Sequence, residues 1–211
     1  MSYSSYEKDK IIFESWRSYL VEQEQKYVIL IPGGFKPPHR GHAFLINEYA
    51  SHPDVEEVIV FVGSSTRSSD DGSVVIDIDK TMKIFQLYDI FNNPKIKLVR
   101  AKTKTSSKGK EYENPFLDAI DYVDDADMEK YRNNIFAVGH PDKDAKRGQV
   151  FVNATKGAEL TTALPPIVPN ADQISATRLR NAIANKDEKI IKESLPDPSM
   201  YDEFMDIIFS T

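Results

Sequence analysis

The sequence predicts an α/β fold: a parallel sheet of about five strands with helices on both faces, preceded by an N-terminal helix. Three observations predict it. Short apolar runs rich in β-branched residues alternate along the chain with segments of helical periodicity. The runs show little alternation of polar and apolar residues, as expected of strands covered on both sides. The first run stops abruptly at Pro32-Gly33-Gly34, a sharp turn leading into a helix.

The elements follow in order. In residues 8–25, Ile12, Trp16 and Leu20 recur every four positions and Phe13 widens the stripe, while Glu14, Arg17 and Glu22 fall elsewhere, so an amphipathic helix is expected. Tyr27–Ile31 is the first strand, and residues 40–51 are a helix with Phe44, Leu45 and Tyr49 on one side. Val55–Val62 is the second strand. Residues 64–76, rich in Ser, Asp and Gly, read as a loop. Asp77–Phe91 reads as a helix, its apolar face formed by Ile84, Phe85, Tyr88 and Phe91. Ile96–Arg100 is the third strand, residues 101–113 a lysine-bearing surface loop, and Pro115–Val123 a short helix. Ile135–Val138 and Val150–Asn153 are the fourth and fifth strands. Helices over 175–184, 187–194 and 200–209 complete the chain.

Composition narrows the functional classes. The 211 residues contain 27 Lys and Arg against 33 Asp and Glu, a net charge of −6, which argues against a uniformly basic nucleic-acid binder. The absence of cysteine removes disulfides, thiol nucleophiles, iron–sulfur clusters and thiolate zinc sites. No stretch approaches the ~20 apolar residues of a membrane span, and Met1–Lys10 lacks the layout of a signal peptide. A cytoplasmic protein with neither nucleic-acid nor membrane partners is expected; a homo-oligomer is left open.

In open parallel sheets ligands bind beyond the carboxyl ends of the strands, near the reversal of strand order. The segment Ile31-Pro32-Gly33-Gly34-Phe35-Lys36-Pro37-Pro38-His39-Arg40-Gly41-His42 occupies such a place. Gly33 and Gly34 permit close backbone approach to a ligand, and the prolines stiffen the turn. His39 and His42, three residues apart at a helix start, can face one spot. The helix N-terminus adds unpaired N–H groups suited to phosphate. Two imidazoles so spaced also fit a metal site completed by carboxylates. No Gly-Lys-Ser/Thr follows, so the turn is not a P-loop.

Gly34-Phe35-Lys36-Pro37-Pro38-His39-Arg40-Gly41-His42 after a first strand resembles the HxGH signature of the nucleotidyltransferase superfamily, which includes nicotinamide mononucleotide, phosphopantetheine and flavin adenylyltransferases and the cytidylyltransferases. Ile174-Ser175-Ala176-Thr177-Arg178-Leu179-Arg180 resembles that family's late Ile-Ser-Ser-Thr-x-x-Arg motif, with Ala176 in place of the second Ser. The resemblance spans about residues 27–185 and implies a Rossmann-like domain; with the C-terminal helices that domain is expected over 27–211, and 1–26 form an N-terminal amphipathic helical extension. It also implies transfer of a nucleoside monophosphate, AMP from ATP with CMP from CTP as the alternative, to a phosphorylated small-molecule acceptor, nicotinamide mononucleotide first among them, with Mg²⁺ accompanying the triphosphate. His39, His42 and Arg180 would be catalytic. Gly33, Gly34, Phe35, Lys36, Ser175 and Thr177 would bind nucleotide, together with Gly139 and Asp142 of a looser Gly-x-Asp match. Ser64, Arg67 and Lys80 would meet the acceptor, with Ser65 and Lys83 beside them. Lys36 stands where many relatives carry Asp, Asn or Gln; a lysine there can neutralise phosphate or point into solvent. A catalytically silent nucleotide-binding or assembly module is the alternative from another class.

Overall fold

The computed structural model describes residues 26–105, 109, 111–126, 130–131, 134–140, 160–162 and 174–210. The expected helix at 8–25 and strand at Val150–Asn153 lie outside them, as do Asp142, Lys143, Lys146 and Arg147.

Five parallel strands form the sheet: β1 (Lys26–Gly33), β2 (Val55–Val62), β5 (Ile96–Arg100), β8 (Asn134–Val138) and β9 (Leu160–Thr162), in the spatial order β5-β2-β1-β8-β9. The chain builds outward from β1 to β2 and β5, then returns to lay β8 on the other side of β1. The order therefore reverses between β1 and β8, and open sheets of this kind bind ligands beyond the carboxyl ends of the strands at such a reversal.

Alternation along the strands sorts the helices. Ile29 and Ile31 of β1 and Val58, Val60 and Val62 of β2 share one core with α1 (Arg40–Ser51), α2 (Ile78–Leu87), α4 (Ala176–Ala184), α5 (Glu188–Ser194) and α6 (Tyr201–Phe209). Val28 and Leu30, with Ile59, Phe61, Phe136 and Val138, face the opposite way and pack on α3 (Pro115–Asp124) through Ala119 and Val123. Each large side chain removed from water here contributes about 1.5–3 kcal/mol.

Two expected loops are hairpins. Within 64–76, β3 (Arg67–Ser68) pairs antiparallel with β4 (Val75–Ile76), and Gly72, at φ 75°, lies in the turn between them. Within 101–113, β6 (Thr103–Thr105) pairs with β7 (Glu111–Glu113). The base of that second hairpin is fixed to α3 by Lys104, whose ammonium meets Asp118 at 3.2 Å and Asp121 at 2.6 Å. The helix expected over Asp77–Phe91 ends at Leu87, because Asp89 takes a left-handed φ of 52°; a 3-10 turn follows at Ile90–Asn92. Asp77 itself caps α2, its carboxylate accepting from the Lys80 N–H at 2.8 Å.

Candidate active site

The loop from Gly34 to His39 is held at nearly every residue. Phe35 adopts a left-handed φ of 51°, a conformation costing a bulky side chain roughly 1–3 kcal/mol. Its buried ring offsets that cost: it meets His42 edge-on at 4.9 Å and Phe85 at 5.4 Å. The same ring explains Gly33, since a Cβ there would lie 2.7 Å from it. Gly34 is exposed, and a Cβ there would meet no described residue within 4 Å.

Lys36 is buried, 2 % exposed, and its ammonium donates to the Gly63 carbonyl at the end of β2. Gly63 also donates its N–H to the Gly33 carbonyl at 2.9 Å, so the ends of β1 and β2 are tied twice. The Tyr88 hydroxyl donates to the Pro38 carbonyl at 3.0 Å, and burial pushes that phenol's pKa up. The sequence assigns Gly63 no role and places Tyr88 only on an apolar helix face. Gly63 ends its strand as Gly33 ends β1, and that parallel is a signal that could have found it.

His39 is the N-cap of α1, with extended backbone (φ −140°, ψ 171°), and is buried. Its N–H donates to Nδ1 of His42 at 3.3 Å, so His42 takes the role that Glu or Gln plays in a capping box. That bond uses Nδ1 as an acceptor, so the neutral His42 ring carries its proton on Nε2, where it can donate to a ligand. The two imidazoles stack at 3.7 Å with planes 18° apart. They form one unit rather than two separate surface histidines.

Arg180 joins the second motif to the first across 144 residues, donating from Nη1 to the Lys36 carbonyl at 2.5 Å. Its Nε donates to the Ser68 carbonyl at 2.8 Å and Nη2 to the Thr177 hydroxyl at 3.0 Å. Burial, then the nearby Arg67 charge, lower the Arg180 pKa, while Asp70 opposes them. Two guanidiniums thus share one neighbourhood, which favours an anion there. Ser175 caps α4 by accepting from the Arg178 N–H at 3.1 Å. A cleft of about 440 Å³ opens beside this helix start, lined by Ser175, Thr177, Arg178 and Asn181 among others.

The remaining expected residues are placed as follows. Gly139 follows β8 and donates its N–H to the Leu30 carbonyl at 2.8 Å; a Cβ there would lie 2.7 Å from Ile29 and 2.8 Å from Tyr49. This glycine is required by packing against β1 and α1. Tyr49 exchanges hydrogen bonds with the backbone of His140, accepting at 3.2 Å and donating at 3.3 Å, and burial pushes its pKa up to about 12. Ser64 is half-buried directly after Gly63, and Ser65 and Arg67 are exposed. Lys80 donates to the Ile208 carbonyl at 2.7 Å, clasping α2 to the end of α6.

Among the described residues no cluster of three or more His, Asp or Glu is placed to hold a metal ion. No helix among them is long and apolar enough to cross a membrane.

Comparison with solved structures places this architecture among known folds. The chain is similar to a bifunctional NMN adenylyltransferase/ADP ribose pyrophosphatase from Francisella tularensis, with 14% identity and a TM-score of 0.55 over 89% of this chain and 51% of that one. It thus spans about half the length of that protein. A nicotinic acid mononucleotide adenylyltransferase of Plasmodium falciparum, in complex with NaAD, aligns at 16% identity and a TM-score of 0.43, over 87% of this chain and 94% of that one. The curated proteins give no match. The cytidylyltransferase-like family model matches residues 30–182, from the middle of β1 through most of α4, and the chain belongs to that family within the nucleotidyltransferase superfamily.

Proposed function

We propose that the protein transfers AMP from ATP to a phosphate-bearing small molecule, with release of pyrophosphate, and that nicotinamide mononucleotide is the leading acceptor. One observation carries the reading: Arg180 of α4 donates to the Lys36 carbonyl in the loop that leads from β1 to His39, beside the reversal of strand order in the sheet. An acceptor phosphate is already ionised near neutrality, so no strong general base is needed. An oxygen of that phosphate attacks the α-phosphorus, the bond to the β-phosphate bridging oxygen breaks, and pyrophosphate leaves. The protein's task is to hold two polyanions together and meet the charge that grows on the transferred group. His42 donates from Nε2 to the phosphate chain, with His39 stacked behind it. Arg180, the Thr177 and Ser175 hydroxyls and the α4 N-terminus receive the leaving pyrophosphate. Mg²⁺ would accompany the triphosphate as its counter-ion.

The family's description favours one second reading, CTP as donor and a CDP-activated product. Pyrophosphate release measured for ATP and CTP against a panel of phosphorylated acceptors decides between them. Release from ATP with nicotinamide mononucleotide is the expected result. Turnover with CTP alone selects the second reading, and release from neither triphosphate with any acceptor overturns both.

A further inference from the structure

Arg180 is not the only residue joining α4 to the β3–β4 hairpin. Its neighbour Asn181 makes a two-point clasp with Asp70 in the hairpin turn. The Asp70 N–H donates to Asn181 Oδ1 at 3.1 Å, and Asn181 Nδ2 donates to Asp70 Oδ2 at 2.6 Å. With the bond from Arg180 Nε to the Ser68 carbonyl, three hydrogen bonds fasten residues 68–70 to residues 180–181.

The turn that presents Asp70 is itself braced. The Asp71 carboxylate accepts from the Ser69 hydroxyl at 2.5 Å, the Ser73 N–H at 3.0 Å and the Ser73 hydroxyl at 2.8 Å. Ser69 is buried, and its oxygen accepts from the Val74 N–H at 3.0 Å. The Ser68 carbonyl and the Asp70 side chain are therefore presented from one stiff piece.

This bears on where Arg180 points. A guanidinium has five N–H donors in a rigid fork. Described residues engage three of them: Ser68, Lys36 and Thr177. The direction of the fork is set by those acceptors, and the Ser68 carbonyl is only as well placed as the hairpin that carries it. A displacement of about 1 Å at a positioned group costs up to ~10² in rate.

We propose that Asp70 and Asn181 are positioning residues, whose clasp sets the hairpin against α4 and thereby aims Arg180 at the polyphosphate. The inference rests on the reading of this site as a polyphosphate site. The reciprocal amide–carboxylate pair suits the task, because two directional contacts fix one register.

The test uses the full chain and inorganic tripolyphosphate, with affinities from titration calorimetry and thermal midpoints on the same preparations. Asn181→Asp sets a second carboxylate against Asp70 and should weaken tripolyphosphate binding about tenfold. The exchanged pair D70N/N181D can rebuild both bonds and should return to within about threefold of the original. A residue acting through Arg180 has nothing to aim when Arg180 is absent, so R180A/N181D should bind no worse than R180A. If N181D does not fold, N181A and R180A/N181A serve in the same comparison. A lowered thermal midpoint with unchanged affinity would make the clasp merely structural and overturn the inference. Further weakening in the R180A background would overturn it as well. If the unaltered protein fails to bind tripolyphosphate, or R180A binds as tightly as it does, the polyphosphate reading itself falls.

Discussion

On the α3 face of the sheet, the Tyr131 hydroxyl donates to Glu57 at 2.9 Å and accepts from Lys130 at 2.6 Å and from Tyr122 at 2.7 Å. One donor and two acceptor sites are all it has, and all are used. Glu57, buried on β2, also takes the Lys97 ammonium. At the carboxyl edge the half-buried Arg180 donates to the Ser68 and Lys36 carbonyls and to the Thr177 hydroxyl, all of them neutral oxygens, and His42 accepts the His39 N–H at Nδ1. Both regions contain polar groups withdrawn from water, but in the first a buried carboxylate receives an ammonium, and in the second the described hydrogen-bond partners of a guanidinium are all neutral. Burial of polar atoms alone does not separate a site from a strut. What separates them, among the described residues, is whether the charge is met by an opposite charge.

Four changes test that contrast. The largest effect should come from His42→Ala, which removes a donor aimed at developing charge. Turnover should fall about 10²–10³-fold while ATP affinity changes far less, read from pyrophosphate release and equilibrium binding. Loss of affinity with unchanged kcat would make His42 a binding residue only. Arg180→Ala should weaken triphosphate binding about 10–100-fold, and Arg180→Lys should not restore it, because an ammonium lacks the fork that reaches both carbonyls and a phosphate. Wild-type affinity in Arg180→Lys would mean that charge alone suffices.

The third change concerns the wall of the crevice. Gly139→Ala forces a methyl group against Ile29 and Tyr49 and should cost up to about 3 kcal/mol of stability in denaturant unfolding. An unchanged midpoint would show that β8 can shift away from β1. The smallest effect belongs to the closed network. Tyr131→Phe should cost about 1–2 kcal/mol and leave nucleotide binding intact. Altered nucleotide affinity in that variant would break the contrast between the two regions.

The strands that build the crevice were legible because β1, β2, β5 and β8 are short apolar runs ended by clear breaks. The histidine pair was legible because its spacing of three residues puts both imidazoles at a helix start. The β3–β4 hairpin was not: its paired residues are Arg67, Ser68, Val75 and Ile76, too few to alternate, and only Asp71-Gly72 signals a turn. The β6–β7 pairing was hidden in the same way by Lys and Thr. Tyr88, Gly63, Asp70 and Asn181 gain their roles through contacts across 27 to 111 positions, and no local period reports such contacts. Lys80, which the resemblance sets near an acceptor, donates to the Ile208 carbonyl across 128 positions. The sequence shows that a lysine lies on α2 but not which partner its flexible stem reaches.

The position of β1 between β2 and β8 has a consequence for how the protein breathes. Its amides and carbonyls bond to neighbours on both sides, whereas β5 lies at the border of the sheet. Isotope exchange at Val28–Ile31 should therefore require opening of the whole sheet, while exchange at β5 and the hairpin beyond it needs only local fraying. The histidine loop hangs from the strand that opens last. Thermal fluctuations that loosen the rim on short timescales would leave the spacing of His39 and His42 undisturbed between one encounter with a ligand and the next.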